Sequence, residues 1–301
     1  MILIDYSQIG KGILKEFEQE LKISSEEKIT NIVRHVMLNT IKSYKKRFPQ
    51  YADKIIIACD SKNYWRKDIF PHYKYKRKES QKSDGVDWDF IYKCMDTLRD
   101  EIAAFLPWQV LAVERTEADD IIGTLIKYVT ETESSDVGLI SEPPKILVIS
   151  SDKDFKEFYK YPNYRQWSPL TKVYTELEKG DTPQKFLREL IGRGDTGDGI
   201  PCIRAEEDHF VNGTKRQPSM YADFVDLIRE KGRDACETEF QRNRWDKNES
   251  LINIDKLPQN YKDDIIHAYK NTLFNRNKNI LLQYFVDKKL VRLIDVIEEF
   301  Y

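Results

Sequence analysis

The stretch Ile146-Leu147-Val148-Ile149-Ser150-Ser151-Asp152-Lys153-Asp154 decides how the rest of the chain is read. Its unbroken apolar run is short and rich in β-branched residues, which predicts a strand buried on both faces, and carboxylates follow directly after it. The same order recurs three times. Asp5 follows Ile2-Leu3-Ile4, Asp60 follows Ile55 to Cys59, and Glu117, Asp119 and Asp120 follow Val110 to Val113. Between these runs, Glu27 to Lys46 and Trp88 to Leu106 space their apolar residues at helical intervals. Strands alternating with amphipathic helices predict an α/β fold, with a parallel-rich central sheet flanked by helices. The segment Thr130 to Pro144, rich in Glu, Ser and Pro, reads as a surface loop within that unit.

After Gly192 the strand signals fade. Tyr221 to Lys231, Ala235 to Arg244, Tyr261 to Thr272 and Asn279 to Phe300 read as helices. The expected organisation is an α/β core over residues 1–184, with an insert at about 61–87, and a smaller α-helical region over 185–301.

In an open parallel sheet the carboxyl ends of the strands share one edge, where ligands bind, so these acidic residues are expected to converge. Each has an ordinary reading when taken alone. Asp5 and Asp60 could be turn residues, while Thr116-Glu117-Ala118-Asp119 and Ser150-Ser151-Asp152 both resemble helix caps. Together they are costly, because two like charges ~4 Å apart repel by about 4 kcal/mol at an effective dielectric near 20. Divalent cations remove that repulsion. A donor set of oxygens without Cys or His suits Mg²⁺, or Mn²⁺, rather than zinc, and two such ions can drive phosphodiester hydrolysis. The glycine-rich Gly194-Asp195-Thr196-Gly197-Asp198-Gly199 adds an acidic pair, and its Gly197 and Ile200 do not fit a calcium loop.

Bulk properties narrow the class further. The 301 residues carry 49 basic and 51 acidic side chains for a net charge of −2, so global charge does not announce a nucleic-acid partner. Cys59, Cys94, Cys202 and Cys236 are far apart, which argues against a zinc site or a disulfide scaffold. The chain lacks an N-terminal basic region and any run near ~18 apolar residues, so no membrane span and a cytoplasmic location are expected. Charge is concentrated locally instead. Lys62 to Lys82 holds Lys62, Arg66, Lys67, Lys74, Lys76, Arg77, Lys78 and Lys82 against Asp68 and Glu79, interleaved with Tyr64, Trp65, Phe70, Tyr73 and Tyr75. A solvated loop is the ordinary account of such a run. Its position just after Asp60 favours a surface for phosphates and unpaired bases.

At this point the sequence resembles the flap endonuclease and 5′ exonuclease family, most of all its phage ribonuclease H branch. The resemblance rests on Leu3-Ile4-Asp5-Tyr6-Ser7-Gln8, Cys59-Asp60, Tyr64-Trp65-Arg66-Lys67-Asp68, Tyr73-Lys74 with Arg77, and Glu117-Ala118-Asp119-Asp120. Ser150-Ser151-Asp152 with Asp154-Phe155, Gln166-Trp167-Ser168-Pro169 and Gly194-Asp195 with Asp198 complete it, in the family's order.

The resemblance implies a PIN-like 5′ nuclease core. It implies metal-site roles for Asp5, Asp60, Glu117, Asp119, Asp120, Asp152, Asp154, Asp195 and Asp198. Lys74 and Arg77 would hold and polarise the scissile phosphate, with Asp152 central to catalysis. Arg66, Lys67, Tyr73, Lys74 and Arg77 would contact nucleic acid, Tyr73 as a stacking aromatic. Arg204, Lys215 and Arg216 would do so from a duplex-gripping helical hairpin at Gly199 to about Lys215. Gly199 stands where the family commonly has asparagine.

The implied function is removal of RNA primers and 5′ flaps during replication, with two Mg²⁺ ions, by a monomer in the host cytoplasm if phage-encoded. Substrates would be flap or nicked duplex DNA and RNA–DNA hybrid, and a single-strand-binding protein is the expected partner. A flap-binding protein without catalysis, a PIN-type single-strand ribonuclease and a small-molecule phosphatase are the alternatives.

Overall fold

Apolar residues at both parities of Ile2–Ile4, Ile55–Cys59 and Ile146–Ile149 commit the middle of the central sheet to burial on two faces. The computed structural model describes residues 1–16, 25–75, 87–133, 135–137, 140–212 and 216–301. Its main sheet has six strands in the order β3-β2-β1-β6-β7-β8. They span β1 Ile2–Asp5, β2 Ile55–Cys59, β3 Gln109–Ala112, β6 Ile146–Ile149, β7 Tyr164–Ser168 and β8 Val173–Thr175. The first five in this order are parallel, and only β8 runs antiparallel to its neighbour β7. The register pairs Asp5 with Ala58 and Ile4 with Ile149. Asp5, Asp60 and the turn after Ile149 therefore leave the sheet at the same edge.

On one face Ile2, Ile4, Ile57, Leu147 and Ile149 pack under the helices Tyr6–Glu16, Glu26–Arg47 and Trp88–Phe105. On the other, Leu3, Ile56, Ala58 and Val148 meet Ile121, Ile122, Leu125 and Val129 of the helix Ala118–Thr132. The helix boundaries follow from local chemistry. Ser25 caps the second helix by accepting from the Lys28 N–H, Glu26 and Glu27 fill its first turn, and Lys45, Lys46 and Arg47 its last. Asp87 caps Trp88–Phe105 through the Phe90 N–H at 3.0 Å.

Four strands were not legible in the sequence. Thr130 to Pro144 is not simply a loop, because the helix runs on to Thr132 and residues 135–137 and 140–142 pair as the antiparallel hairpin β4–β5. Strands β7 and β8 lack an apolar run: Gln166 interrupts β7 yet is fully buried. The C-terminal helices also differ from expectation. The helix after Cys236 starts at the Thr238 cap and spans Glu239–Ile252. The segment expected as one helix to Phe300 breaks into Lys278–Asp287 and Val291–Ile294, with Lys289 in the left-handed region at φ 56°.

The residues after 185 do not build a core by themselves. Ile254, Leu257, Ile265 and Tyr269 join the cluster around Leu3, while Leu281, Tyr284, Phe285 and Phe300 join the one around Ile2. A third cluster joins Phe70 and Tyr73 of the insert to Leu190, Ile191, Ile228 and Trp245. Polar groups reinforce this wrapping: buried Glu101 accepts from Arg34 Nε at 2.7 Å, Tyr284 OH at 2.8 Å and Lys288 Nζ at 2.8 Å, tying three helices together.

Glu157 is a buried exception, with Oε2 lacking any hydrogen-bond partner and burial pushing its carboxyl up to about 8. The folded protein keeps a proton there that the unfolded chain releases above pH ~4.5, so stability falls as pH rises from there to about 8. Glu157→Gln should therefore stabilise the protein by on the order of 1–3 kcal/mol at pH 7 and by little at pH 4. Urea unfolding at the two pH values measures this, and an equal effect at both would contradict the assignment.

Candidate metal centre

The turns after β1, β2, β3 and β6 deliver their carboxylates in two different electrical states. The first set is neutralised by cations and hydrogen bonds. Glu117 is the N-cap residue of Ala118–Thr132, and its own N–H donates to Asp120 Oδ2 at 3.0 Å, so the acidic run is partly a helix cap. Arg66 lies beneath, buried, with NH1 donating to Glu117 Oε2 at 2.8 Å and NH2 to Asp120 Oδ1 at 2.8 Å. Trp65 Nε1 adds a bond to Asp120 Oδ2 at 3.1 Å, and Tyr73 OH one to Glu117 Oε2 at 2.9 Å. Lys74 pairs with Glu117 as well.

The second set is compensated only at longer range, by Lys74 for Asp119 and Asp152 and by Lys153 for Asp154. Among the described residues no cation stands within ion-pair distance of Asp119, Asp152 or Asp154. Burial, followed by Asp152 and Asp5, holds the Asp119 carboxyl well above the ordinary range. Burial, then Asp152 and Asp195, does the same for Asp154. Asp152 is raised too, chiefly by burial, with Asp198 and Asp195 adding to it and the Asp154 N–H opposing. These mutual effects place Asp5, Asp119, Asp152, Asp154, Asp195 and Asp198 in one electrostatic neighbourhood.

Local geometry holds each member. Asp5 accepts from Ser7 Oγ at 3.0 Å, the Gln8 N–H at 3.2 Å and Ser150 Oγ at 3.4 Å. Asp60, exposed, accepts from the Ala118 N–H at 2.8 Å, at the start of the helix. Gln166 Nε2 donates to the carbonyls of Ser150 at 2.9 Å and Asp152 at 2.6 Å, fixing the turn after β6. The acidic loop folds on itself: Asp195 Oδ1 accepts from the Gly197 N–H at 2.7 Å, and Ile200 N–H donates to the Asp195 carbonyl at 2.7 Å. Gly194, at φ 69°, is required there because a Cβ would lie 2.3 Å from the Ile200 carbonyl oxygen. Lys153 reaches Asp195 at 3.6 Å. Asn248, fully buried, donates to the carbonyls of Ile191 at 3.0 Å and Pro201 at 2.9 Å, bracing both ends of this loop.

The insert meets the loop directly. Lys74 N–H donates to the Asp198 carbonyl at 2.8 Å, and the Tyr73 hydroxyl, whose single proton is shared between Glu117 and Asp198, lies 2.8 Å from Asp198 Oδ2. Gly199, at φ 76°, lies against this turn, where a Cβ would sit 3.3 Å from the His72 carbonyl oxygen.

The donor set fits a hard cation on one observation in particular: Asp154 Oδ1 is buried with no hydrogen-bond partner. Among the described residues no three His, Cys, Asp or Glu side chains already stand close enough to enclose an ion, so the carboxylates are gathered without being closed.

Several expected nucleic-acid contacts take other places. Arg66 is not offered to a phosphate, because it is spent on Glu117 and Asp120 in the interior. Asp120, with no exposure, is its counter-ion rather than an open ligand. Tyr73 is buried with its hydroxyl engaged twice, so it presents no stacking face, and Trp65 and Phe70 are core as well. Arg204 lies over the Phe224 ring at 4.0 Å and donates to the Ser219 carbonyl, inside the helical region. Lys67 lies half-buried over Tyr64 at 5.1 Å. Arg216 is exposed on the wall of a cavity of about 880 Å³ that also includes Lys153, Arg193 and Asp195. Arg77 and Lys215 lie outside the described residues. Ser150 and Gln166 stood in motifs quoted from the sequence without a role of their own, and Asn248 and Arg193 were not singled out, since a buried amide acting at a distance and a lone arginine carry no local signal.

Residues 1–185 match the family described as 5′-3′ exonuclease, N-terminal resolvase-like domain, and residues 185–300 the one described as T4 RNase H, C terminal. The chain belongs to the 5′-3′ exonuclease family. Among relatives in this family, the ribonuclease H of Enterobacteria phage T4 is 32% identical over 308 residues, covering 99% of this chain and 95% of that one. The flap endonuclease Xni of Shewanella sp. (strain ANA-3) is 27% identical over 144 residues, about half of each chain at 46% and 48%. The fold is shared with a zinc-bound 5′-exonuclease of phage T5, with TM-score 0.58, 17% identity and coverage of 97% and 98%. A phage T5 flap endonuclease in complex with DNA and metal ions gives TM-score 0.60, 16% identity and coverage of 96% and 98%.

Two outcomes follow from this site. Arg66→Ala should cost about 3–5 kcal/mol of stability, since it strands two buried carboxylates. Denaturant unfolding reads the loss, and a stable variant with only a weaker, less salt-dependent affinity for DNA would restore Arg66 as a phosphate contact. Mg²⁺ should raise the melting temperature, and by more at pH 8 than at pH 5, because protons compete with the ion for Asp119, Asp152 and Asp154. A scanning calorimeter decides it; an equal or absent shift contradicts the site.

Proposed function

We propose that the protein is a divalent-metal-dependent 5′ nuclease that hydrolyses phosphodiesters at 5′ flaps and RNA primers on duplex DNA. The observation that supports this most is the trio Asp119, Asp152 and Asp154, with no cation within ion-pair distance among the described residues, beside the Asp195–Asp198 loop in a chain of this family. In this reading Asp5, Asp60, Glu117 and Asp119 act with Asp152, Asp154, Asp195 and Asp198 to hold two Mg²⁺ ions, some through water, with Mn²⁺ as a substitute. Bound there, the ions would activate a water and offset charge on the phosphodiester. Asp120 acts through Arg66, which keeps Glu117 in position.

Lys74 is the cation at the border of the two sets. It pairs with Glu117, stands 3.8 Å from Asp198, and is held in the left-handed region at φ 58° by its bond to the Asp198 carbonyl. Such a cation, fixed before substrate arrives, can stabilise charge developing on a phosphoryl oxygen. We assign Arg77 the same task. Lys153, Arg193 and Arg216 around the cavity beside Asp195 suit a duplex backbone, giving salt-sensitive and largely sequence-independent recognition. Flap or nicked duplex DNA and RNA–DNA hybrid are the proposed substrates. The proposed setting is replication in a host cytoplasm, as a monomer working beside a single-strand-binding protein.

A 5′-labelled flap duplex and an RNA–DNA hybrid should each be cut with Mg²⁺ and not with EDTA. Asp152→Asn should abolish cutting while leaving duplex binding. Lys74→Ala should lower kcat by about 10²- to 10³-fold. Tight binding with no cleavage at any metal concentration would make this a flap-binding protein instead.

A further inference from the structure

Two side chains hold the acidic turns without bonding to a carboxylate. Gln166 and Asn248 are both fully buried, and each amide donates to two main-chain carbonyls. Gln166, from β7, spans Ser150 and Asp152 at 2.9 and 2.6 Å, the turn that carries Asp152 and leads to Asp154. Asn248, from the helix Glu239–Ile252, spans Ile191 and Pro201 at 3.0 and 2.9 Å, the two ends of the loop that carries Asp195 and Asp198. Ser150 passes the first constraint on: its Oγ accepts from the Asp152 N–H at 3.1 Å and donates to Asp5 Oδ2 at 3.4 Å. A shift of the clamped turn therefore changes the spacing of Asp5 and Asp152.

An amide is the side chain that suits this task. A hydrocarbon of the same size would leave the carbonyls without these donors, and a buried polar group left unpaired is costly. A buried arginine could donate as well, but it would bring a full positive charge, as Arg66 does to Glu117 and Asp120. A neutral amide fixes the turn and leaves its negative charge for a cation. We propose that Gln166 and Asn248 are positioning residues of the metal centre, which set the spacing of its acidic turns through uncharged hydrogen bonds and thereby determine how tightly divalent ions bind. This rests on the reading of that edge as a metal-dependent nuclease site. Neither residue touches ion or substrate, because both act through main-chain carbonyls.

The fold supplies its own control. Gln109, buried in β3, donates in the same way to the carbonyls of Tyr269 at 2.8 Å and Thr272 at 3.1 Å, where the helix Gln259–Asn271 ends. Its Oε1, like that of Gln166, is buried without a partner. Gln109 thus repeats the device with no acidic turn attached to it.

Gln166→Met, Asn248→Ala and Gln109→Met each remove two such bonds, so all three should lower the melting temperature. Mn²⁺ titration followed by electron paramagnetic resonance should show binding weakened about 10- to 100-fold in Gln166→Met and Asn248→Ala, and unchanged in Gln109→Met. On a flap duplex the first two should lose kcat with KM little changed, and higher Mn²⁺ should recover part of the loss. Equal weakening in all three variants makes the role merely structural and overturns the proposal. Unaltered Mn²⁺ affinity in either folded variant overturns it for that residue, and should one of the two fail to fold, the other decides. If the unaltered protein binds Mn²⁺ but cuts no substrate, the nuclease reading fails while the difference in affinity still supports the positioning role; if it binds no Mn²⁺, both fail.

Discussion

Repulsion among carboxylates crowded at one edge of a buried parallel sheet is the constraint on which the rest of this structure depends. The fold meets it in two ways. Glu117 and Asp120 receive Arg66, Lys74, Trp65 and Tyr73, and form a rigid neutralised layer. Asp119, Asp152 and Asp154 have no cation within ion-pair distance among the described residues, Lys74 and Lys153 act on them only at longer range, and burial with mutual repulsion holds their carboxyls above the ordinary range. Stability alone would not favour such an arrangement, since like charges crowded in a partly buried site repel one another. The divalent ions of the proposed function would supply the missing cations.

The neutralised layer also carries the mechanics of the site. Arg66 links the turns after β3 to the helix Glu239–Ile252 through the Leu251 carbonyl at 2.8 Å. Phe70 and Tyr73 anchor the base of the insert in the third apolar cluster, and the Lys74 and Tyr73 bonds to Asp198 bring the acidic loop onto it. Insert, sheet edge and helical region thus meet at one point. This explains why residues after 185 pack into the same clusters as the sheet instead of forming a core apart.

Much of the sheet was legible because burial on both faces writes an unbroken apolar run: β1, β2, β3 and β6 all carry one, and the carboxylates after them mark the shared edge. Strands β7 and β8 were not, since Gln166 is buried through its amide bonds to Ser150 and Asp152 and so breaks the apolar signal. The acidic residues could be listed from the sequence but not sorted. Nothing local distinguishes Asp119 from Asp120. One is left without a cation and the other faces Arg66, fifty-four residues away. Within the insert the sequence did not sort inward from outward residues: Arg66, Trp65 and Tyr73 look like part of a nucleic-acid surface, yet they turn inward to serve the carboxylates.

Anomalous diffraction from a crystal soaked in Mn²⁺ tests the central claim most directly, because it locates the cations independently of any turnover. The account predicts manganese at the carboxyl edge, bounded by Asp5, Asp119, Asp152 and Asp154, with further density toward Asp195 and Asp198. Manganese bound elsewhere on the molecule, with this edge empty at saturating metal, would contradict it.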